Sequence, residues 1–496
     1  MAAVSLGFAG CSREPQKETK PQAAVPTVPQ PKPGPYFSLQ FAGMNQLVGL
    51  TNLPQFAHIA TNDANVEVWH TLTAKLLAAR SIQHNVAVFD TFARDGFVIH
   101  CEKPGDFALA MRTNDPAVNP APGEVAEMVQ GLLGVKAQGL ISTTTNGWVF
   151  LTSSNSSATK LWMSQLAATG HPAGPSSSNL FQLEAGKEFL SATGLNLERA
   201  TVAVWERGET VRTKAVFRTL QPHNLPQGNF KVPTNLIGNP LLSFTATHGV
   251  FRIVGADSYL RVIEPFVENE TAYLWAQGHV PFQSFVAFPV KDPTNALAKV
   301  VALIEKETVS IVTNMFHPAY GKLLKTNDDK TVWWSGLPVV SPTISITNDL
   351  GRDFIVGGLF PPVPKPRPIP AEMVAQVESK TNLVHYHWEI TQTRLFTTLQ
   401  MSQLIPVVCN ISDPATNVTA RVWASTIAPE LGNCITEVTA TGPSELTLSR
   451  SSYIGLGSTE LTLLTLWLDN QIPIKPSTGT PKPGKAPVPM SPPGFK

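Results

Sequence analysis

An α+β fold is the class this sequence predicts: antiparallel sheets built from recurring hairpin-then-helix units, arranged as two similar halves, with disordered Pro-rich tails. Three observations predict it. Short strand-like pairs flank turn residues, amphipathic helical periods follow them, and the same order returns along the chain. With 496 residues, 43% hydrophobic and 15% charged, the chain has enough apolar material for one large core or two ordinary ones.

In chain order, a first helix runs over about residues 63 to 80. In Glu124 to Leu133 the apolar set Val125, Met128, Val129, Leu132 falls at i, i+3, i+4, i+7, one face of a helix. Ala137 to Thr143 and Trp148 to Thr152 flank Asn146-Gly147, a pair that readily takes the positive φ of a tight hairpin. A helix over Ala158 to Ala168 follows.

The pattern recurs at 271 to 306 (TAYLWAQ, GHVP, FQSFVAF, then a helix), where Leu297, Val300, Val301 and Ile304 form the apolar face. Asp292-Pro293 supplies that helix with an N-cap and a proline at its first position. It returns at 343 to 378 (TISITND, LGRD, FIVGGL, then AEMVAQVE) and at 434 to 469 (CITEVTA, TGPS, ELTLSR, then STELTLLTLWLD). The expected organisation is a leader over 1 to 11, a linker over 12 to 35, halves over 36 to 220 and 221 to 470, and a basic tail over 471 to 496.

The 43 prolines crowd into the two ends and residues 361 to 370. The formal charge is +1. The N-terminal 35 residues contribute +2 and the last 26 contribute +4, which leaves the body at −5. No stripe of Lys and Arg lies on a folded element, so no nucleic acid is expected as partner.

Phe8-Ala9-Gly10-Cys11 is a bulky apolar residue, two small residues and a cysteine. It resembles the bacterial lipobox, which implies Cys11 as a lipid anchor. Only ten residues precede Cys11, without Lys or Arg. Either the true start lies upstream of Met1 or the resemblance is accidental. Ser12 to Pro35 lacks the apolar residues needed to fold, and its prolines favour an extended coil reaching up to ~75 Å at ~3.1 Å per residue. Such a segment suits a tether between an anchor and a globular body. The other cysteines are Cys101, Cys409 and Cys434. Three buried thiols are expected, with a Cys409–Cys434 bridge as the alternative.

Leu383 to Ile390 reads as a strand carrying His385, His387 and Glu389 on one face and Val384, Tyr386, Trp388 and Ile390 on the other. From His385 to Glu389 the chain spans about 14 Å at ~3.4 Å per residue. The two histidines are therefore the only weak metal candidates here, and a strand with one aromatic and one polar face is the preferred reading. No metal or cofactor is expected. Ser157-Ala158-Thr159-Lys160 and Ser177-Ser178-Asn179 resemble motifs of the penicillin-recognising serine enzymes. They stand only 20 residues apart with no KTG, so a helix start in a Ser-rich loop is the better reading. Trp333-Trp334 and Tyr386/Trp388 are candidate stacking platforms, with core as the simpler role.

LVHYHWEIT (383 to 391), NCITEVTATGPSELTLSR (433 to 450) and FIVGGLFPP (354 to 362) resemble a family of large envelope proteins of Verrucomicrobia-type bacteria, over about residues 240 to 470. The resemblance implies an envelope setting and an α+β body, with no catalytic residues. The expected protein is a membrane-tethered envelope lipoprotein, facing the periplasm or exterior, that binds a protein or cell-wall partner without catalysis. The alternative is an envelope hydrolase.

Overall fold

Alternating side chains over runs of four to eleven residues produce eighteen strands among the described residues of the computed structural model. The structure describes residues 35–79, 91, 93–103, 106–112, 140–145, 148–153, 160, 164, 168, 179–253, 259–278, 282–308, 322–326, 328–336, 340–362, 367–408 and 418–469. Cys11, Cys409, the 124–133 helix, both proline-rich ends and Ser157, Ser177 and Ser178 lie outside these residues.

The strands are β1 (Phe37–Phe41), β2 (Phe97–Lys103), β3 (Asp106–Arg112), β4 (Leu140–Thr145), β5 (Trp148–Ser153), β6 (Asn179–Gly186), β7 (Leu197–Arg207), β8 (Thr210–Thr219) and β9 (Leu241–Thr247). They continue with β10 (Ala272–Gln277), β11 (Ser284–Pro289), β12 (Lys322–Lys325), β13 (Thr331–Ser335), β14 (Thr343–Asp349), β15 (Arg352–Gly358), β16 (Leu383–Ile390), β17 (Asn433–Gly442) and β18 (Glu445–Ser452). The principal helices are α1 (Met44–Val48), α2 (Pro54–Ala60), α3 (Asp63–Ala79), α4 (Lys187–Ala192), α5 (Pro293–Leu303), α6 (Ala371–Glu378), α7 (Thr391–Val408), α8 (Thr419–Ile427) and α9 (Ser458–Leu468). Mixed α+β character is thus observed. The strands form one continuous antiparallel sheet, where the sequence reading expected separate ones.

Outward from the β8–β18 ladder, one side of the sheet runs β8, β7, β6, β1, β2, β3, β5, β4. The other runs β18, β17, β16, β9, β10, β11, β15, β14, then β13 and β12. With the β12–β13 hairpin set aside, both sides place their strands in the same order of sequence rank. Lys214 stands opposite Ser449 in the ladder joining them. Each is the fifth residue of its strand and each strand follows a two-residue turn, closed by Arg207↔Thr210 in one case and Gly442↔Glu445 in the other.

Local chemistry accounts for the well-read elements. Asp292 Oδ1 accepts the Asn295 amide at 3.2 Å, and Pro293 opens α5. The β14–β15 turn is Leu350-Gly351, with φ of 51° and 74°, the mirror-image turn whose twist matches a hairpin. Arg352 and Asp353, expected in that turn, belong to β15 because the tight turn needs only two residues.

Helices cover both faces of the sheet. Phe354 and Val356 of β15 join Phe244, Tyr273, Trp275 and Tyr386 under Met373, Val374 and Val377 of α6. Ile355, pointing the other way, meets Leu297 and Val301 of α5. Fully burying each such aliphatic or aromatic side chain contributes about 1.5–3 kcal/mol. α7, α8 and α9 form a further layer, in which Leu395, Leu399, Trp423, Ala424, Ile427 and Leu461 enclose Val68 of α3. Gln55 Nε2 donates to the Tyr453 carbonyl at 2.8 Å, and Lys75 donates to that of Trp467. The segment preceding β2 is therefore bound to the last helix.

Candidate functional site

β16 spans the residues expected, and its alternation places His385, His387 and Glu389 on one face. Tyr386 and Trp388 pack into the opposite core, so they form no stacking platform. Trp333 and Trp334 are consecutive in β13 and point to opposite faces. Trp334 is buried.

On the polar face of β16, Glu389 is buried while His385 and His387 are partly exposed. Glu389 is 1% exposed. Its Oε1 accepts the Ser458 amide at 2.6 Å and the Thr391 hydroxyl at 3.1 Å. Its Oε2 accepts the Ser458 hydroxyl and lies 3.2 Å from His387 Nε2. His387 Nδ1 lies 2.8 Å from Thr245 Oγ1 on the neighbouring strand β9. The ring thus bridges β9 and the carboxylate, with one nitrogen facing Thr245 and the other facing Glu389. Both ring nitrogens are engaged, and the rings of His385 and His387 stack 6.5 Å apart. No group of three His, Cys, Asp or Glu among the described residues is placed to hold a metal ion.

Burial opposes the Glu389 charge most strongly, but the hydrogen bond and charge of His387 and the two bonds from Ser458 overcome it and hold the carboxyl at about 2. Helix polarity acts in the same sense, since Ser458 opens α9 and its amide is one of the donors left free by the helix. Burial lowers His385 to about 4, with help from the charges of His387 and Arg450. Arg450 reaches across from β18 to Thr436 Oγ1 at 2.9 Å and Glu460 Oε1 at 2.5 Å. Glu460 Oε2 accepts the Gly457 amide at 3.0 Å, so two carboxylates hold the start of α9.

This arrangement makes a poor nucleophilic centre. Ser458 is 3% exposed, and its hydroxyl donates to Glu389 rather than to the histidine that would have to activate it. Burial pushes the thiols of Cys101 and Cys434 up to about 12. Both are free and buried, as inert structural thiols are.

A second feature lies on the outer side of the helical layer, where Gln403 of α7 and Val418, Arg421, Val422, Ser425 and Thr426 on and beside α8 line an open hollow of about 510 Å³. Val418 and Val422 are 47% and 54% exposed, and Phe396 of α7 is 48% exposed. Arg421 Nε donates to Asp469 Oδ2 at 3.2 Å, and Asp469 Oδ1 accepts the Ala420 amide at 3.0 Å. The Arg421 side chain is only 10% exposed, and its Nη2 is buried without a hydrogen-bond partner. Sequence reasoning missed this residue. The available signal was that Arg421 is the one charged residue in TARVWASTI.

No helix among the described residues is long and apolar enough to cross a membrane. Comparison with family models, curated proteins and solved structures finds no match to this chain.

Proposed function

We propose that this chain is a non-enzymatic binding module of the bacterial envelope, tethered to a membrane through a lipid on Cys11 and held off the bilayer by residues 12 to 35. The body presents its surface to the periplasm or exterior, and the basic tail lies against anionic wall or lipid. The carrying observation is the contrast between the two polar features. Ser458 and Glu389 are buried and bonded to each other and to a partly exposed His387, whereas the apolar-rimmed hollow over α8 is open. Radiolabelled palmitate incorporated by the wild-type chain and not by Cys11→Ala is the expected result. Label that does not depend on Cys11 would sink the tether. Stoichiometric modification by a serine-reactive probe would favour an envelope hydrolase instead.

The body is read here as a duplication, with halves over 36 to 220 and 221 to 470, each a repeat of hairpin-then-helix units. The shared strand order and the position of Lys214 opposite Ser449 support it. Paired midpoints of equivalent strands are what a two-fold relation produces. An experimental structure tests the reading. β1 to β8 should superpose on β9, β10, β11 and β14 to β18 by a rotation near 180° about an axis through that residue pair, and any other rotation argues against it.

A further inference from the structure

We infer that the exposed middle of the sheet, over β7, β8 and β18, binds a linear acidic polysaccharide whose carboxylates pair with Arg207, Arg212 and Lys214. The inference rests on the binding-module reading and names its partner. Directly opposed residues on neighbouring antiparallel strands point to the same face. The registers carry one such row from Ala110 and Val98 through Lys214 and Ser449 to Tyr386 and Ala246. Both ends of the row are buried, the Tyr386 end beneath α6, whereas Lys214 and Ser449 in its middle are exposed. A strip of sheet is left open between covered flanks.

Charge on this strip is positive. Arg199 pairs with Glu184, Arg218 with Glu445 and Lys380 with Glu437, which leaves Arg207, Arg212 and Lys214 without an ion-pair partner among the described residues. Lys214 only adds its field to the bond of Arg218 at Glu445, and Glu206 points to the other face, where Asn52 donates to it at 2.7 Å. Arg212 and Lys214 stand two residues apart on β8, about 7 Å at ~3.4 Å per residue, and the turn into β8 brings Arg207 opposite Thr210 in line with them. Such a line of positive charge complements an extended anion.

The rest of the floor selects the class of anion. The hydroxyls of Thr201, Ser449 and Ser451 make no hydrogen bond among the described residues, and half-buried Trp205 lies in register with Arg212. Hydroxyls and an amphipathic ring suit a sugar. An acidic peptide added as a strand would need open ladder groups, but β8 is paired on both sides, with β7 and β18. Nucleic acid binding draws on about 6–10 phosphate contacts, more than three cations supply.

The test uses the full Cys11→Ala chain, which carries no lipid whether or not the tether exists, so its outcome is independent of the palmitate experiment. Calorimetric titration with hexagalacturonate should give saturable binding that weakens as salt rises. The fully methyl-esterified oligomer, uncharged on the same backbone, should bind about tenfold or more weaker, as should hexaglutamate and a six-residue oligothymidylate. Lys214→Glu and Arg207→Glu, both at exposed positions, should each weaken hexagalacturonate about tenfold or more with the unfolding midpoint unchanged. Lys299→Glu, exposed on α5 against the opposite face of the sheet, should keep wild-type affinity, which separates a local site from net charge. If Lys214→Glu fails to fold, Arg207→Glu and the ester comparison still decide. No saturable binding, equal affinity for acid and ester, equal losses in Lys214→Glu and Lys299→Glu, or hexaglutamate or oligothymidylate bound as tightly would each overturn the inference.

Discussion

Glu389 and Ser458 are joined twice, the carboxylate accepting both the amide and the hydroxyl of the residue that opens α9. A strand in the middle of the sheet thereby holds the last helix by its positive end. The pairing accounts for a buried charge whose only other described hydrogen-bond partners are His387 and Thr391.

Removing the carboxylate should therefore cost more than removing the hydroxyl. Glu389→Ala leaves His387, the Ser458 amide and the Thr391 hydroxyl without their acceptor and should destabilise by about 3–5 kcal/mol. Ser458→Ala loses one hydrogen bond to a charged group, about 1.5–3 kcal/mol. Urea unfolding of both variants checks the order. Equal losses would mean that the hydroxyl carries the linkage.

Acid should weaken the fold in two stages. His385, with its folded value lowered to about 4 from ~6.5 when unfolded, contributes stability that is complete above the unfolded value and is lost as pH falls toward 4. Glu389, lowered to about 2 from ~4.3, acts in the same direction at lower pH. Its contribution is complete above the unfolded value and disappears as pH falls through the folded one. Urea midpoints measured from pH 7 to 3 should decline throughout, and His385→Gln should flatten only the upper stage. A decline in His385→Gln identical to that of the wild type would remove His385 as its source.

Leu350 occupies left-handed backbone at φ 51° in the two-residue β14–β15 turn and is 66% exposed. A branched side chain is costly there, whereas Asn adopts this conformation readily. Leu350→Asn should stabilise by about 0.5–1 kcal/mol, read as a higher urea midpoint with an unchanged slope.

The β8–β18 ladder gives a fourth expectation. Ser449 pairs with β17 on one side and β8 on the other, so Ser449→Pro removes a ladder donor from a central strand and should cost about 3 kcal/mol or more. Thr210→Pro, at the first residue of β8, should be far milder. Comparable losses would show that the seam is not a continuous ladder.

The elements that were legible in advance are those whose signal is local. Asp292-Pro293 announces α5, and the alternation of LVHYHWEI announces β16 with the faces it displays. The site was less legible because its partners are distant. Glu389 meets Ser458 69 residues away and Arg421 meets Asp469 48 residues away, and no spacing rule connects either pair.

What the sequence determined by itself is a part of the local elements, among them the hairpins β10–β11, β14–β15 and β17–β18, strand β16 and the capped helix α5, because dihedral preference, side-chain alternation and capping act over a few residues. Tertiary structure alone decided that Glu389 on the polar face of β16 is buried, that helices cover both sides of the sheet, and that Arg218 lies beside Glu445, 227 residues on. Those outcomes depend on which sheet edge meets which and on what surface is left to cover. Such choices are made by apolar area and unpaired backbone groups brought together only when the chain closes on itself.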